Sequence, residues 1–225
     1  MVAFQRARSE EQREARRRTI LDTAAAMLDE MPVSEVSLNE LSRRVGLAKS
    51  NVLRYFESRE AILLELLDQA GKQWVAELAG QFSAGIDPGG DERDRGDQIA
   101  AILAGSLASR QVLCDLLSAQ ASVLERNVSP GIAARYKRAT HANIAALAAL
   151  VHHHLPELGE DDSFKVSGMA VVLVGALWSV TCSSASMLAA YEADPELAAM
   201  RVDFAPALRE AVSVLISGTL ARLSP

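Results

Sequence analysis

The chain has 225 residues, of which 49% are hydrophobic and 23% charged, and its formal net charge is −6. This composition excludes an intrinsically disordered chain, and the length suits one small domain and one larger domain. The acidity is uneven, because residues 1–65 carry 11 basic and 11 acidic side chains and residues 66–225 carry the whole excess. The negative total therefore does not exclude a nucleic-acid-binding function for the first part.

Arginines crowd the start of the chain, ahead of any apolar periodicity. Such a segment is either a mobile arm that contacts phosphates or the DNA minor groove, or a solvated terminus, and the sequence leaves both interpretations open. The residues are Arg6, Arg8, Arg13, Arg16, Arg17 and Arg18.

The stretch 37–60 predicts two short helices around a glycine turn. Ser37 and Glu40 fit a reciprocal capping box, in which the hydroxyl accepts the N–H of Glu40 and the carboxylate reaches back, so a helix should begin at residue 38. Gly46 should end it, because glycine adopts the left-handed conformation without steric cost. A second helix should follow from about Lys49. This is the arrangement in which the second helix enters the major groove of DNA.

The second helix has one apolar face and one face of hydrogen-bond donors. Val52 and Phe56 lie four residues apart and should be buried against the first helix. On the opposite face, lysine and serine suit phosphates, asparagine pairs with adenine, and arginine pairs with guanine. The spacing therefore predicts a DNA reader whose outward side chains are Lys49, Ser50, Asn51 and Arg54.

The rest of the chain has the pattern of long helices and lacks the period-two alternation typical of strands. Ser58 can cap a helix that runs to about Ser83, and a glycine-rich break follows over residues 85–96. The predicted class is therefore all-α, with a DNA-binding domain over residues 1–60 and a second domain over residues 61–225. Further helices are predicted over residues 97–108, 111–125, 130–154, 162–190 and 204–223.

Residues 166–191 contain no charged side chain and are long enough to span a bilayer. The run includes several serines, a threonine and a cysteine, and it lacks flanking basic asymmetry, which favours a helix buried between other helices. Cys114 and Cys182 are the two cysteines, without CxxC spacing, and the amino terminus has no secretory pattern. We therefore expect a cytoplasmic protein and no membrane contact.

Three consecutive histidines, His152, His153 and His154, suggest a metal site, but adjacent helical residues point about 100° apart and do not converge on one ion. A helix C-terminus explains them better, because its dipole favours positive charge. No nucleophile pattern, paired acid or phosphate loop occurs elsewhere. We therefore expect neither catalysis nor a cofactor or metal.

The last two long helices have apolar residues around more of their circumference than one neighbouring helix can cover. Each should therefore pair with its copy in a second subunit. Such a homodimer has a mechanical purpose, because two helix-turn-helix units read half-sites about 34–36 Å apart. The predicted interface residues are Val172, Leu208, Val212, Leu215 and Ile216.

The run GLAKSNVLRYFESREAI from Gly46 to Ile62, with RTILDTA at residues 18–24, resembles the TetR family of bacterial transcriptional repressors. The specific resemblance covers about residues 15–67 and implies a three-helix DNA-binding domain. Two departures are Leu53, where the family often has a tyrosine that contacts the DNA backbone, and Ala48, where a serine or threonine usually caps the recognition helix. The resemblance implies base-edge or groove contacts from Ser50, Asn51 and Arg54, and phosphate contacts from Ser37, Lys49, Tyr55 and Arg59.

The resemblance also implies a homodimeric repressor that leaves a palindromic double-stranded operator when a small-molecule effector binds the second domain. Large apolar side chains with a few polar ones suit a pocket for a largely apolar effector, although they suit an ordinary core as well. A helical small-molecule-binding or metal-binding bundle without DNA regulation is the alternative. The candidate pocket residues are Trp74, Leu113, Leu117, Gln120, Tyr136, His141 and Trp178.

Overall fold

The structure is a computed structural model and describes residues 2–182 and 185–223, with side chains from residue 10 onward except at 122 and 185. No strand occurs within those ranges, which confirms the all-α class. The α-helices in those ranges are α1 Val2–Glu30, α2 Leu38–Val45, α3 Lys49–Val52, α4 Arg59–Gly85, α5 Glu92–Ala108, α6 Gln111–Ala119, α7 Pro130–His154, α8 Gly159–Thr181, α9 Ala185–Ala193, α10 Pro195–Ala198 and α11 Phe204–Leu223.

Two helix starts with a side-chain cap agree with the sequence prediction. Ser58 accepts the N–H of Ala61 at the start of α4, and Ser129 accepts the N–H of Ile132 at the start of α7. The predicted start at residue 97 was wrong. Asp91 caps α5 by accepting two N–H groups, so this helix already begins at Glu92.

Two of the predicted long helices end early. The segment predicted over residues 162–190 ends at Thr181, and a separate helix begins at Ala185, with residues 183–184 outside the described ranges. Serine and threonine side chains compete for backbone hydrogen bonds, which weakens a helix in such a cluster. Similarly, α6 ends at Ala119 and continues as a π-helical turn, Gln120–Leu124, and a 3-10 turn, Glu125–Asn127.

The helices form a small amino-terminal unit, α1 to α3, and a larger bundle, and α4 belongs to both. In the bundle α11 packs between α5 and α8, while α6 and α7 pack on the other side of α8. A single hydrophobic core runs through both parts, from Ile20 on α1 to Leu220 on α11. The two parts are therefore not separated by an exposed linker.

Gly175 allows α8 to pack closely against α6. A Cβ atom at this position would lie 2.9 Å from the carbonyl oxygen of Leu117, and that oxygen belongs to the backbone. A side chain at residue 175 would therefore have to push the end of α6 away. Glycine is required here for space rather than for a special backbone angle.

The packing of α11 contradicts part of the dimer interface that the sequence predicted. Leu208, Val212 and Ile216 are almost fully buried inside the chain, where α11 fills the space between α5 and α8. They are not available to a second subunit. The outward faces instead carry Val172, which is 62% exposed, and Val214, which is 61% exposed, while Leu215 is half-buried.

Two segments of the described ranges, Pro156–Thr181 and Phe204–Leu223, are long and apolar enough to cross a membrane by length and composition. Both nevertheless have one side packed within the bundle, where Ser163 and Ser167 of α8 are buried. Their apolar character is therefore divided between a buried side and an outward side.

We predict opposite effects for two glycine-to-alanine substitutions in helices. Gly175→Ala should lower the free energy of unfolding by about 1–3 kcal/mol, because the backbone of Leu117 must shift. Gly80→Ala is the matched control, because a Cβ there meets no atom within 4 Å, and it should stabilise the protein by about 0.4–1 kcal/mol. Unfolding in guanidinium measures the change in the free energy of unfolding of each variant. A stabilising effect of Gly175→Ala would contradict the close packing.

Candidate nucleic-acid interface

The first helix of the predicted reader is capped at both ends. The Ser37 hydroxyl accepts the N–H of Glu40 at 3.2 Å, as expected from the capping box. Gly46 has a φ of 70°, in the left-handed region, and the N–H of Leu47 donates to the carbonyl of Ser42 at 3.0 Å. These local contacts fix both the length of α2 and the direction of the turn that follows.

The Glu40 carboxylate binds arginines rather than completing the capping box. Arg43 donates two hydrogen bonds to it, at 2.6 and 2.8 Å, and Arg44 donates one at 2.9 Å. These bonds lower the pKa of Glu40 to about 2. Arg44 also donates to Glu30 at 2.7 Å. Arg44 thereby joins the end of α1, at Glu30, to α2.

The reading helix α3 is a single turn, Lys49–Val52, and the chain continues as turns through Tyr55. Val52 and Phe56 are buried, which confirms the apolar face predicted for this segment. Ala48 precedes the helix and provides no side-chain cap. The reader is therefore held in place mainly by the burial of these two side chains, because its own helix is too short to be stable alone.

The predicted donor side chains project outward. Lys49, Ser50, Asn51 and Arg54 are exposed, and within the described ranges their side chains form no hydrogen bond or ion pair. Leu53 lies beside them and is 40% exposed. The arrangement offers cationic and amide donors on one surface, which matches what phosphates and base edges accept.

Arg17 does not belong to a mobile arm. Its guanidinium donates to the carbonyl of Tyr55 at 2.6 Å and to the carboxylate of Glu65 at 2.6 Å, and it lies 4.2 Å from the centre of the Phe56 ring. It therefore fixes the end of the reading segment between α1 and α4. The backbone before it is helical, while the side chains of Arg6 and Arg8 lie outside the described residues.

Arg59 does not lie with the outward donors. Its guanidinium donates to the carbonyl of Val33 and lies 3.2 Å from Glu60. Tyr55 is half-buried, and its phosphate contact stays a prediction. The position of Arg59 removes the geometric basis for a phosphate contact, because its charge is directed into the protein.

An open cleft of about 780 Å³ lies between α1 and the end of the reading segment. Arg13, Arg16 and Arg54 contribute three cationic groups to it, together with Tyr55, and none of its lining residues is acidic. The sequence indicated the arginines of α1 only as part of a terminal cluster. The structure brings two of them beside a predicted DNA-binding residue.

A small cavity of about 50 Å³ lies in the larger bundle, between α4, α6 and α7. Its wall is mostly apolar. Asn143 donates to the Asp68 carboxylate at 3.1 Å, and burial raises the pKa of Tyr136 to about 12. Since a pocket for a drug-sized ligand usually measures about 300–1,000 Å³, a ligand of that size must widen this cavity.

The predicted pocket residues divide into two groups. Trp74, Leu113, Leu117 and Tyr136 all line the cavity. The other three lie elsewhere, because Gln120 donates to Glu125 at 2.7 Å, His141 is exposed beside Phe164, and Trp178 packs edge-on against Phe204 at 5.0 Å. The sequence did not predict the polar pair of Asp68 and Asn143, which lie on different helices.

The histidine run ends α7. His154 contacts Phe82 edge-on, with 5.6 Å between ring centres, and burial lowers its pKa. Among the residues with described side chains, no three histidine, cysteine, aspartate or glutamate side chains form a group that could hold a metal ion.

Two family models together cover most of the chain. The model described as bacterial regulatory proteins, tetR family, matches residues 20–66. The model described as Tetracyclin repressor-like, C-terminal domain, matches residues 68–223. The boundary between the two matches falls within α4.

Curated relatives match over a minor part of the chain. The HTH-type transcriptional regulator EthR of Mycobacterium tuberculosis is 37% identical over 54 residues, which is 24% of this chain and 25% of EthR. An uncharacterized HTH-type transcriptional regulator of Haemophilus influenzae is 35% identical over 80 residues, or 35% of this chain and 38% of that protein. The chain therefore matches well under half the length of these relatives.

Solved structures match along most of the chain. A putative TetR-family regulator from Mesorhizobium loti has a TM-score of 0.57 and 14% identity, and the match covers 93% of this chain and 97% of that one. The regulator FadR from Bacillus subtilis, in complex with stearoyl-CoA, has a TM-score of 0.54 and 12% identity, covering 89% and 97%. At these identities the likeness shows the fold alone.

Proposed function

Because the chain belongs to the TetR family of bacterial regulators, we propose that it is a homodimeric repressor that leaves a palindromic operator when a small molecule binds its larger domain. The observation that carries this proposal is the outward donor surface of Lys49, Ser50, Asn51 and Arg54, held by the buried Val52 and Phe56. We place the protein in the cytoplasm, where its operator would be.

The contacts on DNA divide into two kinds. We assign Ser37, Lys49 and Tyr55 to phosphates, together with Arg13 and Arg16 of the basic cleft, because cationic and hydroxyl groups suit phosphate oxygens. Asn51 and Arg54, with Ser50, are assigned to base edges. Arg59 is omitted because its guanidinium is directed to the carbonyl of Val33.

A second copy of the chain is the proposed cover for the outward faces of α8 and α11. Met169, Val172 and Val180 of α8 are exposed, and Val214 is exposed on α11, which packs beside α8. A lipid environment fits these faces less well. Arg209 and Glu210 are exposed on α11, and charged side chains in a bilayer are costly.

The proposed effector site is the cavity of about 50 Å³ between α4, α6 and α7. Its apolar wall suits a largely apolar molecule, and the pair of Asp68 and Asn143 offers one polar contact. The complex of B. subtilis FadR with stearoyl-CoA makes long-chain acyl compounds reasonable first probes. Their binding to this chain is a proposal.

The decisive experiment is footprinting of the purified protein on the DNA upstream of its own gene. Protection of a palindrome, with an affinity that falls steeply as salt rises, is the expected result. Binding of apolar ligands without any protected DNA would instead indicate a helical ligand-binding bundle.

Two substitutions in the reader should have different signatures. Lys49→Ala should weaken binding to all DNA sequences alike and reduce the slope of log affinity against log salt by about two, because each of the two subunits loses one phosphate contact. Asn51→Ala should leave that slope nearly unchanged and cost about 1–3 kcal/mol of discrimination at one base pair of each half-site. Anisotropy titrations of operator variants at several salt concentrations measure both, and uniform weakening by Asn51→Ala would contradict its role.

Charges on the outward faces should separate the subunits. The double variant Val172→Glu and Val214→Glu should be monomeric and lose specific operator binding, because one half-site offers too few contacts. Val123→Glu is the control, because Val123 is also exposed but lies in the π-helical turn. Light scattering gives the mass of each variant. A dimeric double variant would place the interface elsewhere.

The two tryptophans should report differently on ligand binding. Trp74 lines the cavity, whereas Trp178 packs against Phe204 outside it. Stearoyl-CoA or a shorter acyl probe should therefore change the fluorescence of the Trp178→Phe variant, in which Trp74 remains. The Trp74→Phe variant should respond little. The reverse pattern would exclude this cavity as the site.

A further inference from the structure

Val33 connects the entrance of the reader to two helices of the larger bundle. Val33 lies in the loop between α1 and α2, and its N–H donates to the carboxylate of Asp115 on α6 at 2.8 Å. Its carbonyl accepts from Arg59 at the start of α4. The side chain of Val33 is buried as well. Both polar groups of this residue are therefore bonded to the bundle.

Glu57 forms a second connection at the exit of the reader. It lies between α3 and α4, and its carboxylate accepts the N–H of Ser129 at 2.7 Å and the hydroxyl of Ser129 at 2.7 Å. Ser129 is the residue that caps α7. The two hydrogen bonds lower the pKa of Glu57, so the carboxylate stays charged at neutral pH.

Both connections reach helices that line the cavity. Asp115 is on α6 between Leu113 and Leu117, which line it. Ser129 begins α7, and Tyr136 of the cavity wall follows about 10 Å along that helix. The two walls are joined by the π-helical turn Gln120–Leu124, a type of irregularity that is frequent at functional sites.

We infer that Asp115 and Glu57 are positioning residues for operator binding, through which the separation of α6 from α7 sets the orientation of the reader. The inference rests on the proposed function, since it needs both a DNA reader and an occupied cavity. Asp115 holds the entrance of the reader to one wall of the cavity, and Glu57 holds its exit to the other wall. Separating the walls therefore turns the reader instead of only shifting it.

These hydrogen bonds limit how strongly a change in the cavity can alter the affinity for the operator. The carboxylates of Asp115 and Glu57 accept charge-assisted hydrogen bonds from backbone N–H groups, which are held by the folded chain. Allosteric coupling between two sites usually changes affinity about 5- to 150-fold. We expect an effect in this range on the affinity for the operator.

The test uses an added side chain in place of the unidentified effector. Leu117→Trp adds an indole to the α6 wall of the cavity, and Ile144→Trp does the same from the α7 wall. Each is made in the otherwise unchanged protein and in a protein that also carries Asp115→Ala and Glu57→Ala. The control background carries Glu157→Ala and Asp162→Ala, which remove the same charge from contacts within the larger domain.

Operator affinity is measured by fluorescence anisotropy, and circular dichroism melts show which variants are folded. Leu117→Trp should weaken binding about 5- to 150-fold in the unchanged and control backgrounds. In the Asp115→Ala and Glu57→Ala background the same substitution should change affinity by less than about 2-fold, because the wall no longer holds the reader. Ile144→Trp should behave in the same way.

Equal weakening in all three backgrounds, or no weakening in any, would overturn the inference and leave the DNA-binding function intact. Failure of the unchanged protein to bind operator DNA would instead refute the proposed function. If neither tryptophan variant folds, amide hydrogen exchange over residues 38–56 decides the question. Exchange should be faster with Asp115→Ala and Glu57→Ala than in the control background, and equal rates would count against the two contacts.

Discussion

The continuity of α4 is the constraint on which the rest of the structure depends. The first turns of this 27-residue helix are buried with the amino-terminal unit, and its middle lines the cavity through Leu67 and Trp74. A helix transmits displacement because its backbone hydrogen bonds resist stretching. The reader and the cavity therefore share one stiff element, and the contacts of Asp115 and Glu57 determine what else moves with it.

Local signals made the reader predictable. Ser37 begins α2 and Gly46 ends it through contacts with residues a few positions away. The burial of Val52 and Phe56 follows from their helical spacing. The partner of a buried stripe was not predictable in this way. The spacing of Leu208, Val212 and Ile216 indicates an apolar face, but only the packing of α11 between α5 and α8 shows that the same chain covers it.

The arginines show that the partner of a charged side chain was not predictable from sequence either. In sequence Arg17 belongs to the terminal arginine cluster, Arg54 is assigned to base edges or the groove, and Arg59 is assigned to a phosphate. In the structure Arg17 reaches the carbonyl of Tyr55, Arg59 reaches the carbonyl of Val33, and Arg54 remains outward. Backbone carbonyls that no helix satisfies also accept hydrogen bonds from guanidinium groups, and their positions depend on turns that the sequence does not define.

The small volume of the cavity affects the timing of any response that uses it. The cavity between α4, α6 and α7 has a volume of about 50 Å³, and if the state that accepts a larger molecule is a minor one, the apparent affinity is reduced by its population. In that case opening precedes binding. At high ligand concentration, the rate of release from DNA would reach a ceiling set by the separation of α6 from α7, however much ligand is supplied.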